Sequence, residues 1–70
     1  MSRLRKRSIL LAGHATSVAL EPEFWTVLEA LAASRAVPIA ALLGAVDRDR
    51  QGTPLASACR LAALRFASER

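Results

Sequence analysis

The stretch Ser17-Val18-Ala19-Leu20-Glu21-Pro22-Glu23-Phe24-Trp25 (SVALEPEFW) decides the fold, because two periodicities meet in it with no turn between them. Extended back to Ala15, its first half alternates as a strand does: Thr16, Val18 and Leu20 share one face, and Ala15, Ser17 and Ala19 share the other. Its second half is a helix start. Glu21 stands at the N-cap, Pro22 at the first helical position and Glu23 near the positive helix end, followed by two aromatics. The pattern predicts a strand over Thr16 to Leu20 that runs directly into a helix ending near Ser34.

Downstream, Phe24, Leu28 and Leu31 form one stripe of that first helix, with Trp25 and Ala32 beside it. Val37-Pro38 stops it, since the residue before proline avoids the helical region. A second helix follows, in which Ile39, Leu42, Leu43 and Val46 recur at i, i+3, i+4 and i+7. It ends in the polar run Asp47 to Gly52. Thr53 and Pro54 read as the cap and first position of a third helix, about residues 54–68. Upstream, Ser8 to Leu11 is apolar and can be extended, and Ala12-Gly13-His14 reads as a bend.

A single strand leaves its backbone N–H and C=O groups without partners. The same strand from a second copy, paired antiparallel, supplies them. The expected architecture is therefore mostly α with one N-terminal β-strand per chain. Two copies form a homodimer around an intermolecular two-stranded ribbon, and a third helix is appended at the C-terminal end. The expected dimer core is Thr16, Val18 and Leu20 from the ribbon and Phe24, Trp25, Leu28 and Leu31 from the first helix. Ile39, Leu42, Leu43 and Val46 of the second helix complete it. Bulk composition points the same way: 70 residues that are 53% apolar are near the lower limit for an independent core.

The net charge of +4 is unevenly placed. Arg3, Arg5, Lys6 and Arg7 crowd the start, while the remaining basic residues are matched in number by the acids. Residues 1–7 are expected to form a flexible basic arm on a neutral body, residues 8–70. Such an arm is an electrostatic handle for phosphates, and its four cations are the first candidate phosphate contacts. The start also imitates a signal peptide, but its apolar run is only Ile9 to Gly13 before His14 interrupts it. No apolar run approaches the ~20 residues of a membrane span, so no membrane partner is expected. The single cysteine, Cys59, excludes a disulfide framework within the chain and reads as a small buried hydrophobe in a reducing cytoplasm.

Taken together, "GHATSVALEPEFWTVLEALA" (residues 13–32) resembles the ribbon-helix-helix superfamily of the Arc and MetJ repressors. It is most similar to small bacterial members in which a Gly-His-x-Thr-Ser segment leads into the strand and a Phe-Trp pair opens the first helix. The resemblance spans about Arg7 to Phe66. It implies a homodimer that lays a two-stranded ribbon in the major groove of double-stranded DNA, acting as a transcriptional regulator or autoregulator. Carried over by position, the base-facing residues are Ala15, Ser17 and Ala19. The start of the second helix, Pro38 with the amides of Ile39 and Ala40, takes a phosphate beside Arg35. This chain departs from its relatives in two places: two of its three outward residues are alanines, and Ala36 stands where glycine is usual. The alternative is a dimerisation or partner-binding module, antitoxin-like, with a protein partner on the C-terminal helix and DNA contact weakened or lost. The four basic residues just before the ribbon favour the DNA reading.

No catalytic constellation is visible. His14 is the sole histidine, and with one cysteine it makes no metal site of known spacing. No Gly-x-Ser-x-Gly elbow is present, and Asp47-x-Asp49 lacks the rest of a calcium loop. Neither enzymatic activity nor a cofactor is expected.

Overall fold

Two seven-residue stretches, RKRSILL and HATSVAL, flank the dipeptide Ala12-Gly13. In the computed structural model, which describes residues 3–69, they form an antiparallel hairpin of β1 (Arg5–Leu11) and β2 (His14–Leu20). Leu11 faces His14 across a two-residue loop, Ser8 faces Ser17, and Arg5 faces Leu20. Ala12 and Gly13 have φ of 51° and 82°. Both are left-handed, as a type I′ turn requires, and this turn matches the twist of the strands it joins. Three helices follow: α1 (Pro22–Ser34), α2 (Ile39–Asp49) and α3 (Leu55–Ser68).

The strand, the two following helices and the appended third helix are thus present in the expected order. The pairing of the ribbon is different. β2 takes its partner from β1 of the same chain, not from a second copy. β1 begins at Arg5, so Arg5, Lys6 and Arg7 belong to the ribbon instead of a flexible arm. The physical reason is long-range: the Trp25 indole N–H donates to the Arg5 carbonyl oxygen at 2.8 Å, an anchor that local charge repulsion does not reveal. Met1 and Ser2 of the expected arm, and Arg70 at the other end, lie outside the described residues.

One face of the hairpin is packed down. Ile9, Leu11, Val18 and Leu20 are buried, and Thr16 is half-buried. The four buried residues meet Trp25, Leu28, Leu31 and Ala32 of α1, and Leu42 and Leu43 of α2, in one apolar cluster. Phe24, Ile39 and Val46 pack against its margin. All eleven residues assigned above to a dimer core therefore sit in or beside the core of a single chain. Closing the core this way is possible because β1 adds Ile9 and Leu11, and because α3 presents small residues. Ala58, Cys59 and Ala63 are its buried positions, and small side chains let α3 approach closely. Burial pushes the Cys59 thiol up to about 11, so it stays protonated at neutral pH and packs as a hydrophobe. Each fully buried leucine contributes roughly 1.5–3 kcal/mol; Leu20, Leu28, Leu42 and Leu43 are of this kind. Among the described residues no single helix is long and apolar enough to cross a membrane, and α1 and α2 are bent by 99° to one another.

The helix ends differ from expectation in detail. Glu21 occupies the N-cap position of α1 with Pro22 behind it, but its carboxylate bonds no helix amide. It pairs instead with Arg60 of α3, whose guanidinium nitrogens lie 2.8 and 2.9 Å from one carboxylate oxygen. Pro54, not Thr53, stands at the N-cap of α3. α1 ends in a Schellman motif: the Val37 N–H donates to the Ala32 oxygen and the Ala36 N–H to the Ala33 oxygen, both at 3.0 Å. That geometry puts Ala36 at φ 56°, the left-handed region that favours glycine at this position.

Two outcomes follow from these geometries. Ala12→Gly and Ala36→Gly should each raise unfolding stability by about 0.5–1 kcal/mol, the left-handed cost of a Cβ less the extra freedom of unfolded glycine. Urea melts read this as a higher midpoint at unchanged slope. Glu21→Gln should show a pH signature. The carboxyl of Glu21 is held below the ordinary carboxylate range, first by its own backbone amide and then by Arg60. A depressed folded-state pKa contributes stability that is present above the unfolded value and lost as pH falls through the folded one. The stability gap between wild type and variant should therefore be full near neutrality and close below the ordinary carboxylate range.

Candidate nucleic-acid interface

The second face of the hairpin carries no core. Lys6, Ser8 and Leu10 of β1 are exposed on it, and so are Ala15 and Ser17 of β2, while Ala19 is half-buried. The register sets these residues opposite one another as Lys6 with Ala19, Ser8 with Ser17, and Leu10 with Ala15. The base-facing set expected from the strand, Ala15, Ser17 and Ala19, therefore forms only one side of a two-sided surface. Of the other side, Lys6 was expected only as a phosphate contact, and Ser8 and Leu10 are the residues that sequence reasoning did not single out. The signal was the dipeptide Ala12-Gly13, which is a weak hairpin signature because Asn or Asp usually precedes the glycine.

The cations of the chain start are not equivalent. Arg3, Arg5 and Lys6 are exposed, with no ion-pair partner among the described residues. Arg7 lies on the inward-facing side of β1. Its guanidinium sits 4.5 Å above the centre of the Trp25 ring and pairs with Glu29 at 2.5 Å. A cation stacked on an indole and matched by a carboxylate is committed to holding β1 on α1. Between this part of β1 and the start of α1 lies an open cleft of about 300 Å³, lined by Arg5, Lys6, Arg7, Trp25 and Glu29 among others. It marks the open end of the hairpin as the basic end.

The other candidate phosphate contacts lie elsewhere. Arg35 is the exposed C-cap of α1, and Ile39 and Ala40 open α2. The Ala41 and Leu42 amides bond the Pro38 oxygen, which leaves the Ile39 and Ala40 amides as the unsatisfied N–H groups of that helix end. The far end of α2 approaches the hairpin turn: Asp47 and Arg50 share a cleft with Leu11, His14 and Ser17. The start of α2 is the opposite end of that eleven-residue helix. His14 is exposed beside the turn, and no cluster of metal-ligating side chains occurs among the described residues.

Residues 4–67 match the ribbon-helix-helix domain family. The chain belongs to that family. Ribbon-helix-helix domains generally bind DNA as transcription regulators and typically dimerise. No curated protein and no solved structure matches the chain. Within this ribbon-helix-helix domain the outward ribbon face contributes none of the buried core residues, which come from the other face and from α1 to α3.

The Trp25 anchor can be tested apart from binding. Trp25→Phe keeps a ring beneath Arg7 but removes the indole N–H, at a cost of about 1 kcal/mol. Amide exchange should accelerate at the start of β1 and remain slow in α2. Equal acceleration in both would show that β1 opens only with the whole domain.

Proposed function

We propose that this chain is a transcriptional regulator that lays its hairpin in the major groove, with the outward face toward the bases. The major groove is about 12 Å wide and admits a two-stranded ribbon, whose strands lie ~4.8 Å apart. Arg3, Arg5 and Lys6 supply phosphate contacts at the open end of the hairpin. The Ile39 and Ala40 amides, with Arg35, supply a second phosphate site at the start of α2. The observation that carries this reading is the solvent-facing ribbon: a six-residue surface with no core function, basic at one end, in a domain whose family binds DNA. We place the protein in the cytoplasm, on the nucleoid when bound. The homodimer belongs to the same proposal: β1 and β2 pair with each other along one edge only, so a strand edge remains for a second copy.

A second reading, a partner-binding module without DNA contact, is supported by α3. Leu61 and Leu64 are 49% and 58% exposed on the helix whose opposite side packs the core.

Salt-dependent DNA binding separates the two. Wild type should lose affinity linearly in log–log terms as salt rises. Lys6→Ala should reduce the slope by about 0.9, the worth of one released counterion set, at all sequences alike. Slopes unchanged in Arg3→Ala, Arg5→Ala and Lys6→Ala would remove the ribbon end from the interface. No binding at low salt would leave the module reading.

A further inference from the structure

The large apolar side chains exposed among the described residues are Leu4, Leu10, Val37, Leu61 and Leu64. Of these, only Leu61 and Leu64 share a helix, one turn apart. With Ser57 and Ser68 they form an uncharged, exposed stripe along α3 at i, i+4, i+7 and i+11, opposite the buried Cys59 and Ala63. Arg60, already paired with Glu21, borders the stripe on one side, and Arg65 borders it on the other. The helix has a defined place in the fold. α2 packs chiefly against β1, and α3 against β2. Leu55, at the start of α3, shares a cleft with His14, Thr16 and Ser17 near the hairpin turn. Arg60 reaches Glu21, just past the other end of β2. α3 therefore follows β2 in direction, and it is the helix beside the strand whose outer edge is unpaired.

We infer that α3 is one half of a seam between two copies of this chain. Leu61 and Leu64 pack against the α3 of a second copy when the two β2 strands pair along their free edges. The inference rests on the proposed homodimer and names the surface that completes it. Two identical strands paired about a two-fold axis run antiparallel, so helices that follow them also run antiparallel and meet through the same face. Paired strands stand about 4.8 Å apart, and packed helices about 8–10 Å apart. Each α3 then lies only about 2 Å further from the axis than its own β2, as a helix packed on that strand can. The edge of β2 offers backbone hydrogen bonds over at most seven residues, whereas a stable pair of chains buries about 800 Å² on each partner. A second contact is needed, and the leucine stripe is the apolar surface that the helix beside this edge presents. Ser57 and Ser68 are small enough to let the two helices approach closely.

Sedimentation equilibrium of the full chain over a concentration series tests the seam. Wild type should dimerise. Leu61→Ala and Leu64→Ala should each raise the dissociation constant roughly tenfold, because a symmetric interface loses each side chain twice. Leu61→Glu combined with Leu64→Glu should stay monomeric where wild type is paired, and should keep its far-ultraviolet circular dichroism because both positions are exposed. If that double variant loses its folded spectrum, the alanine variants and a mixed dimer carry the test. In a dimer mixed from isotope-labelled and unlabelled chains, the Leu61 and Leu64 methyl groups should show magnetisation transfer to α3 of the other copy. Wild-type affinity in both alanine variants would overturn the seam and leave a dimer joined at the ribbon edge. A wild-type dimer whose intermolecular transfer is confined to β2 would also overturn it, leaving α3 free for a different protein. A wild type that is monomeric at every concentration would overturn the proposed homodimer and the seam together.

Discussion

The rest of the structure depends on one contact, the seating of Trp25 against the first strand. Its indole N–H satisfies the Arg5 carbonyl, its face carries the Arg7 guanidinium, and Glu29 one turn further along α1 neutralises that cation. Four basic residues in five would otherwise repel one another and stay in water. Neutralising one of them on α1 and tying down the backbone beside it lets residues 5–7 join the ladder. Once β1 exists, β2 has a partner, Ile9 and Leu11 enter the core, and the chain closes without borrowing a strand.

Closure has consequences on both faces of the ribbon. Behind it, α3 brings alanine and cysteine to the positions that pack, which allows a third helix to fit against α1, α2 and β2 in so short a chain. The Arg60 guanidinium, 5.7 Å from the centre of the Phe24 ring and paired with Glu21, fastens α3 to the joint between strand and helix. In front, the same alternation that buries Ile9 and Leu11 leaves Lys6, Ser8 and Leu10 in solvent. The candidate interface is thus a by-product of the register that builds the core.

The sequence by itself determined the helices and the second strand. Proline at Pro22, Pro38 and Pro54, and the 3.6-residue recurrence of Leu28, Leu31, Leu42 and Leu43, are local signals that no tertiary contact needs to correct. The alternation from Ala15 to Leu20 is equally local, and the family likeness of residues 13–32 rests on it. What only the tertiary structure decided is which strand pairs with β2 and what Arg5, Lys6 and Arg7 do. Their inward positions are Arg5 and Arg7, so this half of β1 reads as polar on both faces, and period-two patterning has nothing to register there. The stabilising partners are twenty or more residues away, at Trp25 and Glu29. Sequence patterns report local periodicity, whereas strand pairing is a contact between distant segments; here a single indole hydrogen bond and a stacked arginine settle it.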